Sequence, residues 1–161
     1  MKIFNALRLL MIAFIATFIS CAHKGEPSKQ GILLTPQQMQ DLDKDQSMNG
    51  KVVMVEGFAS LCNSMFVDIG KKNKMAIYSD GSCEGKKLID AKIEISREGS
   101  VIFGEQDRNR AVFSDYKNPS EKTMSFTTDD YQDVPNKKLR FSGTLIYNGN
   151  GHYLDNVTIH N

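Results

Sequence analysis

"KVVMVEGFA", residues 51–59, is the stretch that decides the fold. Its valines and its period of two read as a β-strand. Gly57 sits inside the run and marks a bend or bulge, because a residue without a side chain lets a strand kink or another backbone come close. A second stretch, "LRFSGTLIY" at 139–147, repeats the design. Leu139, Phe141, Gly143, Leu145 and Tyr147 alternate with Arg140, Ser142 and Thr144, and glycine again falls mid-strand. A lysine, Lys51, opens the first stretch, and another, Lys138, stands just before the second.

Working outward from the first, Met65–Ile69 and Met75–Tyr78 read as the next two strands, with Gly70-Lys71-Lys72-Asn73 as a hairpin loop. After the second, Asn148-Gly149-Asn150-Gly151 is a hairpin turn, since both residue types accept positive φ, and His152–His160 returns as the last strand. Between them, Lys92–Ser96 and Val101–Phe103 flank a turn, and Arg110–Phe113 and Thr123–Thr127 form a further pair around the polar loop Asp115–Lys122. Residues 128–138 are expected to hold one helical turn before Val134-Pro135-Asn136 reverses the chain. On the amino-terminal side, Thr35, Pro36 and Gln38 are the cap, first position and capping-box partner of a helix over about 36–45. Its apolar edge is only Met39 and Leu42, so it is expected to plug a sheet.

Strands with a central glycine, early and late in a small chain, resemble those of the oligonucleotide/oligosaccharide-binding (OB) barrel, over roughly residues 50–79 and 139–160. In that fold the first and fourth strands bend sharply and serve both sides of the barrel. The resemblance implies a mainly β chain: a small OB-like barrel with inserted strands and one short N-terminal helix. Another eight-stranded, lipocalin-like barrel or a β-sandwich is the alternative, because up to four strands separate the matching regions. The resemblance also implies that the first-to-second-strand loop, with Cys62, and the exit of the third strand, with Cys83, share one barrel end. The two cysteines would then be neighbours.

The amino terminus has another character. Met1–Arg8 is basic, and Leu9–Ile19 is apolar but short of the ~20 residues a helix needs to cross hydrocarbon. That pattern describes a secretory signal. Phe18-Ile19-Ser20-Cys21 resembles the lipobox of bacterial lipoproteins, with Phe18 where leucine is usual. The resemblance implies cleavage before Cys21 and its acylation, with the lipid bilayer as partner; each buried methylene contributes ~0.8 kcal/mol. Residues 1–20 are thus read as signal peptide, 21–33 as lipidated cysteine and flexible tether, and 34–161 as a single β-rich domain. Ala22, rather than aspartate, follows the cysteine. The expected location is the cell envelope, lipid-anchored, and the outer membrane where the cell has two.

In that oxidising compartment Cys62 and Cys83 are expected as a disulfide. Free thiols, or a copper site using Cys62, Met65 and Met54 or Met75, are the other readings. The chain carries 20 Lys+Arg against 19 Asp+Glu, and this near-neutral balance gives no footprint for nucleic acid. No nucleophile elbow, metalloprotease helix or phosphate loop is present, so neither catalysis, cofactor nor metal is expected. His152 and His160 stand about 26 Å apart along one strand and cannot share a metal; they read as edge-of-strand polar residues. Asp129-Asp130-x-x-Asp133 reads as a solvated acidic loop, lacking the glycine and distal glutamate of a calcium loop. The function expected is that of a non-catalytic binding module. Its face would be Leu61, Asn63 and Ser64 of one loop, Asp80 and Ser82 of the next, and Asn148 and Asn150 of the last turn. The partner would be an envelope protein, a peptide or a glycan. An inhibitor or immunity-type lipoprotein that blocks an envelope-attacking hydrolase is the alternative, and a copper- or zinc-handling protein the third reading.

Overall fold

The structure, a computed structural model, describes residues 30–62, 67–81, 83–99 and 108–161. Cys21 with the whole signal, Asn63, Ser64, Met65, Ser82 and the expected strand Val101–Phe103 lie outside the described residues. The elements in chain order are β1 (Ile32–Leu33), α1 (Pro36–Asp41), β2 (Val52–Ser60), β3 (Lys71–Tyr78), β4 (Lys87–Arg97), β5 (Arg110–Phe113), β6 (Met124–Thr127), β7 (Asp133–Pro135), β8 (Leu139–Tyr147) and β9 (His152–His160). Short 3-10 turns occupy Gln46–Met48 and Glu121–Thr123.

Five of these strands close a barrel. β2 pairs antiparallel with β3 and with β8, β3 with β4, and β8 with β9, while β4 and β9 join in parallel through Asp90↔Tyr153 and Ala91↔Leu154. This is the OB strand order, and one parallel pair closes it. Gly57 is the switch: residues 52–57 of β2 pair with β8, and 58–60 pair with β3. A Cβ at Gly57 would lie 2.5 Å from the Tyr78 carbonyl oxygen, so only glycine permits this crossing. Gly143 plays the matching part in β8. The β8–β9 register shifts between Ser142 and Thr144, and a Cβ at Gly143 would come within 2.8 Å of the Asp155 carbonyl oxygen.

The inserted strands grow from the far end of β4. Glu94–Arg97 pair in parallel with β5, β5 pairs with β6 as the expected antiparallel ladder, and β6 pairs with β7. Phe113 and Phe126 are fully buried in the same core cluster as Val53, Val55, Ile77, Ile93, Phe141 and Leu154. Phe126 meets Phe141 edge to face at 6.1 Å between centroids, a favourable geometry for two aromatic quadrupoles. Insertion and barrel therefore share one interior.

Several expectations change. Residues 71–73 are not a loop: the turn is Asp68–Gly70, with Gly70 at φ +77, and Lys71 already belongs to β3. The Asn73 side chain stabilises that turn by accepting from the Asp68 N–H and donating to its carbonyl. No helical turn forms between 128 and 138; Val134-Pro135 is the edge strand β7, where a missing N–H is tolerated. The helix ends at Asp41 rather than Asp45, with the expected capping box at Thr35 and Gln38. The tether expected through residue 33 gives way earlier, because Ile32 and Leu33 pair in parallel with Val53 and Met54.

Candidate functional site

The first described residues lead directly into a groove. β1 lies along β2, Leu34 enters the core, and α1 follows, with Met39 and Leu42 packing on the core cluster. The helix is thus the expected plug, but it does not seal the barrel end. Between it and the start of β4 lie two contiguous cavities, of about 300 and 230 Å³, that share Met39, Lys87 and Leu88. The first adds Pro36, Gln40, Glu56, Ser79, Lys86 and Lys138; the second adds Asp43, Asp90, Asn150, Gly151 and His152. An apolar waist with polar ends is the common form of a ligand site.

The ends differ in charge. Glu56 faces two cations, Lys138 at 2.6 Å and Arg140 at 3.2 Å, and their hydrogen bonds hold its carboxyl below the usual range. Lys86 adds a further positive charge, while Lys87 is bound to Asp90 at 2.7 Å. At the opposite end His152 has a side chain only 4% exposed, its Nδ1 3.2 Å from Asp43 Oδ1. The ring lies against Tyr147, with centroids 4.8 Å apart. Because a carboxylate only accepts, Nδ1 carries the proton, and in the neutral ring Nε2 is an acceptor. That atom is buried without a hydrogen-bond partner.

A larger cleft, about 440 Å³, runs over the outer face of β5 and β6 among Arg97, Arg110, Lys122 and Asp133. It is an open trough of outward strand side chains. The groove under α1 instead draws together helix, loop, strand and turn.

The second feature is a structural corner. Cys62 and Cys83 form the expected disulfide, with Cα atoms 5.4 Å apart. The strand leading to Cys83 is the barrel's second rather than its third, and the loop after it folds back so that Gly81 lies against the Phe58 ring. The Ser60 hydroxyl donates to Glu121 Oε1 at 2.7 Å and touches Cys62 Sγ. Both sulfurs stand 3.8 Å from the same carboxylate oxygen. That Ser60 bond, helped by backbone N–H groups, holds the Glu121 carboxyl below the usual range. Cys62, Cys83 and Glu121 are the candidate metal-ligand group among the described residues, but the disulfide occupies both sulfurs. The copper reading loses its thiolate, and Met54 and Met75 are buried.

The third feature overturns two readings. His160 is 3% exposed and Asp129 3%, so neither is an edge residue or part of a solvated loop. His160 Nδ1 lies 3.0 Å from Asp129 Oδ2, and Nε2 lies 3.0 Å from Ser142 Oγ. Ser142 Oγ in turn accepts the Gly31 N–H at 3.1 Å. Asp, His and Ser in this order would suit a nucleophile, but Ser142 is 1% exposed and the Gly31 backbone covers its oxygen. The chain of bonds locks the amino-terminal strand onto the barrel. Asp130 and Asp133 are taken by the Thr128 and Thr127 hydroxyls.

Of the binding-face candidates, Asn150 lines the groove. Asn148 shapes the turn by accepting the Asn150 N–H. Asp80 braces its own loop, its carboxylate where a Cβ at Gly85 would stand. Leu61 packs on the core, beside the disulfide corner. Ser79 after β3 and Asn150 after β8 both border the groove, whereas Leu61 after β2 packs on the core beside the disulfide. Met39, Lys86, Leu88 and His152 are groove residues that sequence reasoning missed; their neighbourhood depends on the parallel β4–β9 closure. No protein family, curated protein or solved structure matches the chain.

Proposed function

We propose that this chain is a lipid-anchored binding module of a bacterial cell envelope. It is fixed to a bilayer through Cys21 and holds an envelope partner, without catalysis, in the groove under α1. The observation that carries the reading is the convergence of Met39, Leu88, Lys86 and Asn150 from four separate elements on one concave, partly apolar surface. The lipobox resemblance supports the anchor. Nine peptide steps from Cys21 to Gln30 reach at most roughly 30 Å, which keeps the groove close to the membrane.

Capture from envelope extract tests this. The mature protein should retain a partner that Leu88→Arg, placing a charge in the waist of the groove, fails to retain while its circular dichroism is unchanged. Retention of the same partner by both proteins would overturn the groove reading.

A further inference from the structure

We propose that the groove takes the free carboxy terminus of a polypeptide whose last side chain is apolar. The inference rests on the groove being the binding surface and names what it binds. Three observations converge. At one end Glu56 is outnumbered by Lys138 and Arg140, and Lys86 stands beside them, so the local field favours a carboxylate. In the middle Met39 and Leu88 offer an apolar slot between helix and strand. At the other end His152 has Nδ1 committed to Asp43 and Nε2 buried without a partner. A buried acceptor without a donor is costly, and a ligand N–H that parts the atoms now covering Nε2 removes that cost.

One ligand type supplies an anion, an apolar group and an N–H donor in sequence: a chain end, with its α-carboxylate, its last side chain and a backbone amide. A fatty acid has the first two and lacks the third. A neutral glycan lacks the charge, and an acidic one lacks the apolar side chain. The combined volume, about 300 and 230 Å³, suits a few residues and no more. The remainder of the partner would run out past Asn150 and Gly151, whose turn borders the histidine end.

The test is fluorescence anisotropy with the disulfide-intact mature protein and a fluorescein-labelled Gly-Ala-Ala-Leu peptide. The free-acid peptide should bind saturably, and its carboxamide should bind about tenfold more weakly, as expected for loss of a charge-assisted bond. Lys86→Ala, an exposed change that leaves the fold alone, should weaken the free acid severalfold and the carboxamide hardly at all. His152→Gln, which keeps an acceptor, should bind better than His152→Leu. Octanoate should not compete. Equal binding of acid and amide, competition by octanoate as strong as by unlabelled peptide, or no binding by any of them would overturn the proposal. If no peptide binds while the envelope partner is still lost in Leu88→Arg, the groove stands as the docking site and the ligand class falls.

Discussion

Ser142 shows how one hydroxyl can join two distant parts of a chain. It sits fully buried in β8, bonded to His160 in β9 and reached by the Gly31 N–H from the amino-terminal segment. Gly31 has to be glycine for this approach, since a Cβ there would fall 2.5 Å from the Val53 carbonyl group. Ser142→Ala leaves an imidazole nitrogen and a backbone N–H without partners. The expected loss is about 1–3 kcal/mol, read as a lower urea midpoint; an unchanged midpoint would show that the bonds contribute nothing. None of this was visible in the sequence. Ser142 and His160 meet across the β8–β9 hairpin, but Asp129 reaches them only because the inserted unit packs back on β9 through the Ile159 carbonyl. The mid-strand glycines were legible for the opposite reason, because a residue without a Cβ inside a β pattern is a local signal of a backbone crossing.

Among the elements, local rules succeeded where a strand has one wet face and failed where it has two. β2, β8 and β9 alternate and were readable. The first half of β3 is polar because both its faces meet water, so Lys71-Lys72-Asn73 looked like a loop. β7 contains a proline, which reads as a turn until the strand is seen to lie on the sheet edge. The disulfide is the element-scale staple: it joins the end of β2 to the loop after β3, and Ser60 ties both to Glu121 of the inserted unit. Reduction, with a separation of 21 residues between the cysteines, should lower stability by roughly 3 kcal/mol on the chain-entropy account. Urea unfolding with and without reductant measures this. Coincident curves would mean that the Ser60–Glu121 contact alone holds the corner.

At the scale of the whole molecule, the chain runs from the proposed anchor through β1 into α1, so the wall of the groove is the first helix after the proposed tether. The OB topology is legible in two glycine-bearing strands, and of the expected face Asn150 lines the groove while Leu61 packs on the core. Cys62, just after β2, is tied into the disulfide corner, and the short helix, expected only as a plug, forms one side of the cleft. The central claim is that a partner is held at that cleft in the membrane-bound protein. A photoreactive phenylalanine analogue placed at Gln40, on the groove, or at Asn118, in the exposed loop before β6, tests it in intact envelopes. The account predicts a discrete crosslinked adduct from position 40 that disappears with Leu88→Arg, and none from position 118. Adducts of equal yield from both positions, or from 118 alone, would contradict it.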